Sequence, residues 1–268
     1  MLKGTKIHGT LYEIPTNLNI LVTGHKGFVG KELVKRLEKS NTVIGIDLLE
    51  GNNLLDCILP DNIDIVIHLA GKSGVRESLN DATAYWVNNI EASRRLFEKY
   101  PNTRILYASS SSAYEPDLNP YAASKYCLEE LAERFPNTLG MRFHTIYSNT
   151  PRKGMFFDKL LNNDLKYVTR HYRDFVHIDD VLDAIELILA HPKLQGVLDI
   201  GSGDPIKVQD LAPDAPVRLN TPGERNFTCA NLEILKGLGW RPKYNVKKFL
   251  TNKGLDNIIN LFNGEITT

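Results

Sequence analysis

Short apolar runs alternate with segments of helical periodicity over the first half of this 268-residue chain. The runs are rich in Val and Ile, as is typical of strands that are buried on both faces of a sheet. Strands are predicted over residues 19–24, 42–47, 64–70, 104–110 and 138–143, and helices over 31–39, 82–100 and 121–135. Strands that alternate with helices predict an α/β fold, a Rossmann-like doubly wound parallel sheet.

A glycine-rich turn, GHKGFVG, lies between the first predicted strand and the first predicted helix. Gly24, Gly27 and Gly30 allow the backbone to approach a pyrophosphate, to which the start of the helix offers unpaired N–H groups. Asp47 ends the next strand, where a carboxylate can accept a hydrogen bond from a ribose 2′-hydroxyl. The combination predicts a bound dinucleotide, with NAD favoured because a carboxylate repels the 2′-phosphate of NADP. Lys26 in the turn is a counter-signal, since a basic residue there could meet that phosphate.

Composition argues against several classes of protein. Lys plus Arg and Asp plus Glu number 32 each, so no excess of positive charge favours a nucleic-acid or membrane-surface partner. No stretch approaches 18 consecutive apolar residues, and the N-terminus lacks the apolar segment of a secretory signal. Cys57, Cys127 and Cys229 have no CxxC spacing and are expected to be reduced thiols of a cytoplasmic protein. The seven histidines show no ligand spacing, so no metal is expected.

Tyr121 and Lys125 are four residues apart on a predicted helix and therefore share one face of it. A tyrosine is a poor base at neutral pH because its usual pKa is near 10. A nearby ammonium and a positively charged nicotinamide would both lower that pKa by stabilising the phenolate. Ser110 ends the fourth predicted strand and could hydrogen-bond the same substrate hydroxyl. Such a pair alone indicates only a solvated helix face, but beside a dinucleotide site it predicts a centre of proton transfer.

Five motifs occur in order along the chain: TGHKGFVG, DIVIHLAG, YASSSS, PYAASK and RDFVHIDD. Together they resemble the extended short-chain dehydrogenase/reductase family, the nucleotide-sugar epimerases and dehydratases, over residues 19–244. The resemblance implies that Ser110, Tyr121 and Lys125 are catalytic, that NAD is the cofactor, and that Asn89 is structural or part of a proton relay. The cofactor-binding residues that it implies are Gly24, Gly27, Phe28, Val29, Gly30, Asp47, Asp56, Leu69, Ala70, Gly71, Tyr121 and Lys125.

The serine tract distinguishes between branches of that family. The 4,6-dehydratases have an Asp-Glu pair just after the catalytic Thr to eliminate water, and Ser111 and Ser112 at those positions cannot do that work. YASSSSAY, SGVRES and the segment around Thr145 instead resemble the UDP-glucuronate 4-epimerases. The resemblance implies that Ser111, Ser112 and Thr145 hold a sugar carboxylate. It also implies that Arg152 and Arg173 hold the diphosphate.

The chain departs from that branch in the length of its loops. Only ten residues separate Ser110 from Tyr121, and Glu115 stands where the motif has Gly. The connection between the second and third predicted strands is also short, so a full crossover helix is not expected there. Surface loops can be shortened without loss of the fold, but such changes can open the site or alter the substrate.

Several aromatic residues have two interpretations. His68 lies in the middle of an apolar strand and is expected to be a core histidine. Phe156 and Phe157 either belong to the core or stack on a uracil. His144 is the next candidate for a base if Tyr121 is not one.

The expected organisation has three parts: an N-terminal extension over residues 1–17, a mainly NAD-binding Rossmann domain over 18–146, and a small, mainly substrate-binding lobe over 147–268, some segments of which return to the Rossmann domain. The predicted activity is that of an NAD-dependent nucleotide-sugar 4-epimerase with a transient 4-keto intermediate, acting on a UDP-hexuronic acid or a UDP-hexose. Two alternatives stay open: an NADPH-dependent reductase of a 4-keto nucleotide sugar, which Lys26 favours, and a non-catalytic dinucleotide-binding protein. A homodimer through the helices at 82–100 and 121–135 is expected, as is common in the family.

Overall fold

The computed structural model describes residues 5–7, 10–12 and 14–253. Its strands are β1 (Thr5–Ile7), β2 (Thr10–Tyr12), β3 (Asn19–Thr23), β4 (Thr42–Ile46), β5 (Ile65–His68), β6 (Arg104–Ser110), β7 (Thr138–Phe143), β8 (Thr145–Tyr147), β9 (Tyr172–His177), β10 (Gly196–Ile200) and β11 (Pro205–Lys207). Six of these strands form a parallel sheet in the order β10-β7-β6-β5-β3-β4. The predicted Rossmann-like fold is therefore confirmed, and β10 is the sixth strand of its sheet.

The helices cover both faces of this sheet. They are α1 (Gly30–Leu37), α2 (Val75–Ser78), α3 (Ala82–Trp86), α4 (Ala92–Lys99), α5 (Pro120–Ala132), α6 (Phe156–Leu161), α7 (Ile178–Leu189), α8 (Glu233–Gly237) and α9 (Val246–Asn252). A π-helical turn, Val87–Glu91, joins α3 to α4, so the helix predicted over residues 82–100 is not regular throughout. The helices predicted over residues 31–39 and 121–135 agree with α1 and α5 to within about three residues at each end.

Both faces of β3 are buried, which explains its unbroken apolar sequence. Ile20 and Val22 pack into a cluster with α1 and α7, while Leu21 belongs to a cluster with α4 and α5. The three side chains are at most 1% exposed. Burial on both sides favours a parallel strand with helices above and below it.

The position of β3 between β4 and β5 creates a crevice at the carboxyl end of the sheet. The chain leaves β3 towards β4 and then crosses to β5 on the opposite side, which makes this point the topological switch of the sheet. Residues 47–64 make the crossing with one short 3-10 turn, Leu48–Glu50, and no full helix, as expected from their length. Ligands of open α/β sheets bind in such a crevice.

A second, three-stranded sheet lies in the C-terminal part of the chain, in the order β11-β9-β8. β8 is parallel to β9, and β11 is antiparallel to it. Tyr147, Phe157, Phe175 and Phe249 pack together beside this sheet. Phe157 is 4% exposed and therefore belongs to the core, which decides between its two interpretations.

The extension predicted over residues 1–17 contains an antiparallel hairpin of β1 and β2. Residues 1–4, 8–9 and 13 of that prediction, and residues 254–268 of the predicted C-terminal lobe, lie outside the described residues. In the part of the chain that is described, no helix is both long enough and apolar enough to cross a membrane.

Candidate active site

The glycine turn that follows β3 is shaped by close backbone contacts. Gly24 has a φ of +71°, and a Cβ atom on it would lie 2.7 Å from the backbone nitrogen of Ala70. A Cβ atom on Gly30 would overlap the carbonyl oxygen of Gly24. Side chains are therefore excluded from the floor of the turn, and its backbone is open to a ligand.

The glycine turn leads directly into the N-terminus of α1. In the described structure no side chain caps this helix, and Val29 occupies the cap position. The N–H of Lys31 donates to the carbonyl of Gly27 at 3.1 Å, but a helix start without a side-chain cap still offers N–H groups to solvent or a ligand. Phe28 and Val29 pack against the core behind them. An open glycine turn and an uncapped helix fit the pyrophosphate of NAD.

Asp47 ties the glycine turn to the end of β4. One of its carboxylate oxygens accepts from the N–H of Lys26 and the other from the N–H of Leu49, each at 2.9 Å. An ionised carboxylate offers about four acceptor positions, so capacity remains for ribose hydroxyls. Nζ of Lys26, whose side chain is partly exposed, lies 2.9 Å from Oε1 of Glu50.

The residues after β5 form the opposite wall of the crevice. The N–H groups of Leu69 and Ala70 donate to Thr23, to its carbonyl at 3.0 Å and its hydroxyl at 3.3 Å respectively. A Cβ atom on Gly71 would lie 3.4 Å from Nζ of Lys125, so this wall reaches the predicted catalytic lysine. Asp56 is exposed in the connection between β4 and β5, where its N–H donates to the backbone.

The predicted catalytic residues meet at the carboxyl end of β6. α5 begins at Pro120 because Oδ1 of Asn119 accepts from its first turn at 2.8 Å. This start places Tyr121 and Lys125 on the first two turns of α5. The Ser110 side chain lies close enough to the Tyr121 hydroxyl to lower its pKa, and Nζ of Lys125 donates to a carbonyl of β6 at 2.8 Å.

Burial dominates the ionisation of this pair. It raises the pKa of Tyr121, although the hydrogen bond from Ser110 and the charge of Arg152 oppose it. It lowers the pKa of Lys125 to about 8, opposed by the charge of Glu129. In the protein alone, burial outweighs the positive charge of Arg152, and the lowering of the Tyr121 pKa by a bound nicotinamide stays a prediction.

A buried ion pair that the sequence did not reveal lies behind Lys125. Oε1 and Oε2 of Glu129 accept from Nε and Nη2 of Arg142 at 2.8 Å and 2.5 Å, and Ser109 donates to the same carboxylate. The side chain of Glu129 is 6% exposed. Glu129 lies four residues after Lys125 on α5, and this spacing in the sequence indicates that the two side chains share a helix face. The pairing of Glu129 with Arg142 on β7 has no such local signal.

Asn89 connects the crevice to α5. Its Oδ1 accepts from the N–H of Lys72 at 2.7 Å, and its Nδ2 donates to the carbonyl of Lys72 and the hydroxyl of Ser124. The side chain thus fixes the backbone just after Gly71. This bonding corresponds to the structural one of the two expected roles.

The predicted carboxylate-binding hydroxyls lie at the same end of the sheet. Ser111 and Ser112 begin a 3-10 turn directly after β6. Thr145 follows two residues after Phe143, which pairs with Ser110 at the end of β6. Thr145 therefore also lies at the carboxyl end of the sheet. The carbonyl of Ser111 accepts from Nη1 of Arg225 at 2.6 Å, a contact from a distant segment that no motif indicated.

Two of the arginines at this site share one carboxylate. Nη2 of Arg76 lies 2.7 Å from Oε1 of Glu224, and Nη2 of Arg173 lies 3.6 Å from Oε2 of the same residue. Arg152 is exposed and donates instead to the hydroxyl of Ser73 at 3.3 Å. Arg76 was not predicted, although it belongs to the SGVRES segment that carries part of the resemblance.

The two histidines considered from the sequence are buried. His68 lies between the hydroxyls of Thr23 and Ser93, at 2.7 Å and 2.8 Å, as expected of a core histidine. Burial lowers its pKa to about 3. Nε2 of His144 lies 3.7 Å from Oδ2 of Asp199 in the edge strand β10, and both side chains are buried. Among the described residues, no group of three or more His, Cys, Asp or Glu side chains could hold a metal ion.

Solved structures of nucleotide-sugar enzymes share this fold. MoeE5, solved in complex with UDP-glucose and NAD, is 28% identical with a TM-score of 0.75, and the match covers 88% of this chain and 97% of that one. The UDP-glucuronic acid 4-epimerase from Bacillus cereus, solved with UDP-glucuronic acid and NAD, is 25% identical with a TM-score of 0.74 and coverages of 91% and 100%.

Sequence comparison leads to the same group of proteins. An uncharacterized UDP-glucose epimerase of Bacillus subtilis, YtcB, is 29% identical over 317 aligned residues, which cover 92% of this chain and 100% of YtcB. That length exceeds the 268 residues of this chain, so YtcB carries insertions, in agreement with the short loops seen here. The sequence model of the NAD dependent epimerase/dehydratase family matches residues 20–201. The chain therefore belongs to the NAD dependent epimerase/dehydratase family.

Proposed function

We propose that this chain is an NAD-dependent nucleotide-sugar 4-epimerase that acts through a transient 4-keto sugar. One observation carries the proposal: Tyr121 lies close to Ser110, beside the crevice that Gly71 and Lys125 share, and the two residues directly after Ser110 are serines. Elimination of water would need an acid and a base at Ser111 and its neighbour. A reversible oxidation at C4 needs only one group that removes a proton and returns it.

The chain's own residues would manage that proton. NAD, when bound, supplies a group that accepts hydride and gives it back. Tyr121 takes the proton of the sugar 4-hydroxyl and later returns it, while Ser110 holds the same oxygen by a hydrogen bond. Lys125 is mostly protonated at neutral pH, because its pKa is about 8, and its charge would stabilise the phenolate. Proton and hydride both return to the sugar, so no cofactor is consumed.

We further propose that the substrate is a UDP-hexuronic acid, with UDP-glucuronate and UDP-galacturonate interconverted. Ser111, Ser112 and Thr145 would donate hydrogen bonds to the sugar carboxylate. Arg152 and Arg173 would bind the diphosphate. The Bacillus cereus relative with UDP-glucuronic acid supports this choice, and MoeE5 with UDP-glucose makes neutral UDP-hexoses the main competitors.

The test is to incubate the purified protein with NAD and either UDP-glucuronate or UDP-glucose at matched concentrations, and to follow the 4-epimer by NMR. Faster conversion of UDP-glucuronate is expected. A clear preference for UDP-glucose would end the uronate assignment and leave the epimerase proposal. Steady consumption of NADPH with a 4-keto nucleotide sugar, without epimerisation, would instead identify a reductase, and no turnover in either assay a non-catalytic protein.

A double variant tests the carboxylate contacts separately. Ser111→Ala with Thr145→Val removes two hydroxyl donors and keeps the arginines. Loss of one donor to a charged acceptor costs about 1.5–3 kcal/mol, or roughly 10- to 150-fold in rate. Activity on the uronate should therefore fall much further than activity on the neutral hexose. Equal losses on both sugars would show that these hydroxyls do not contact the carboxylate.

A further inference from the structure

Glu50 holds both basic side chains of the glycine turn. It ends the 3-10 turn Leu48–Glu50, whose N-terminal cap is Asp47. Its carboxylate lies 2.9 Å from Nζ of Lys26 and 3.3 Å from Nε2 of His25. The edge of the proposed NAD site that faces the ribose therefore carries two carboxylates against one permanent positive charge.

These charges interact differently with NAD and with NADP. A ribose 2′-hydroxyl can donate to a carboxylate, whereas a 2′-phosphate is repelled by it. Lys26 is the group that could attract the phosphate, but its charge is engaged by Glu50. The two side chains are 49% and 41% exposed, so they can separate without disturbing the core.

Asp47 is less suited than Glu50 to act as the selectivity switch. Its two oxygens hold the N–H groups of Lys26 and Leu49, so its replacement alters the glycine turn for any dinucleotide. The carboxylate of Glu50, in contrast, pairs with two side chains of the turn, those of His25 and Lys26. Its replacement changes charge while the backbone of the turn is retained.

We infer that Glu50 sets the preference of this chain for NAD over NADP by keeping Lys26 in an ion pair. The inference rests on the proposed NAD site. Neutralising Glu50 removes a negative charge and releases Lys26 for a 2′-phosphate. NAD has no such phosphate, and its affinity should hardly change.

Direct titration with NADH and NADPH, followed by calorimetry, tests this without any turnover. Glu50→Gln is expected to tighten NADPH by about 10-fold and to leave NADH within about 2-fold, as a change of one nearby unit charge suggests. The double variant Glu50→Gln with Lys26→Met should lose the gain. Glu98→Gln is the matched control, since Glu98 forms an exposed 2.7 Å pair with Arg94 on α4, away from the glycine turn.

An unchanged ratio of the two affinities in Glu50→Gln, in protein that still binds NADH, overturns the inference and leaves the epimerase proposal standing. A gain for NADPH that survives the Lys26→Met change overturns the part assigned to Lys26. Binding of neither dinucleotide by the wild type defeats the proposed function, and the inference with it.

Discussion

Tyr121 is the side chain on which the proposed chemistry depends most directly. Tyr121→Phe removes the hydroxyl but keeps the ring, which packs edge-on against Tyr85 at 6.0 Å between centroids. The fold should persist, while the epimerisation rate measured by NMR should fall on the order of 100-fold or more. Tyr126→Phe, an exposed position on the same helix, is the control and should keep full activity. Near-normal turnover in Tyr121→Phe would mean that another group is the base.

Lys125 should lower the stability of the fold while it supports activity. Burial lowers its pKa from 10.5 to about 8, so the folded protein at pH 7 holds an unfavourable buried charge. Lys125→Met should therefore abolish turnover and raise the free energy of unfolding at pH 7, in part offset by the lost hydrogen bond to β6.

The difference in stability between the wild type and Lys125→Met should depend on pH. Between about pH 8 and pH 10.5 the unfolded chain binds a proton on Lys125 that the folded chain does not. In that window the wild type gains stability relative to Lys125→Met as pH rises, by roughly 1.4 kcal/mol per pH unit at most. Urea denaturation of both proteins at pH 7, 8.5 and 10 measures the difference. A difference that is constant with pH would show that Lys125 is not desolvated.

At the level of the elements, α5 and β7 are joined by the Glu129–Arg142 pair. Arg142→Met leaves the Glu129 carboxylate buried without its cation, which should cost about 3–5 kcal/mol. Arg94→Met is the matched control, because Arg94 pairs with Glu98 at 2.7 Å on the surface of α4, where such a pair contributes about 0–1 kcal/mol. Similar urea midpoints for the two variants would contradict the structural importance of the buried pair.

The strands and helices around the site could be predicted because their signals are local. β3, β5 and β6 each contain a run of three or four apolar or aromatic residues, and Asn119 with Pro120 marks the start of α5 in the sequence itself. β8 and β11 are three residues long, too short for periodicity to identify, and their order is set by contacts with β9. Short strands of this kind depend on tertiary pairing rather than on local preference.

The site could be predicted only in part, for the same reason. The glycine turn, Tyr121 and Lys125 belong to short motifs. Arg225 and Glu224 reach the site from more than 100 residues beyond the serine tract, as the separation of 114 between Arg225 and Ser111 illustrates. Pairs of charges that meet only in the folded protein leave no pattern in a single sequence.

At the scale of the whole molecule, we expect a homodimer through α3 and α5. Trp86 and Tyr126 on these helices are 49% and 40% exposed. Apolar side chains of this size at the surface are typical of interfaces. The wild type should sediment as a dimer, and Trp86→Lys with Tyr126→Lys should shift it towards the monomer. Leu219→Lys, at a position 71% exposed and outside these helices, should have no effect.

A groove beside these helices belongs to the same surface. It has a volume of about 590 Å³ and lies between Leu79, Trp86 and the start of α5. A second copy of the chain could fill it with apolar side chains. A wild type that remains monomeric at high concentration in sedimentation velocity would rule out this mode of assembly.

One amide, that of Asn119, mechanically links two distant stretches of the chain. Its Oδ1 caps α5, while its Nδ2 donates to the carbonyl of Gly223 at 2.8 Å. Gly223 has a φ of +77°, and a Cβ atom on it would lie 3.1 Å from the carbonyl oxygen of Leu118 and 3.4 Å from the Cβ of Asn119. A displacement of the stretch that carries Glu224 would therefore displace the first turn of the helix that bears Tyr121. A methyl group added at Gly223 would crowd Leu118 and Asn119 and should shift the start of α5. The Tyr121 hydroxyl would then be misaligned, although the methyl group does not touch it.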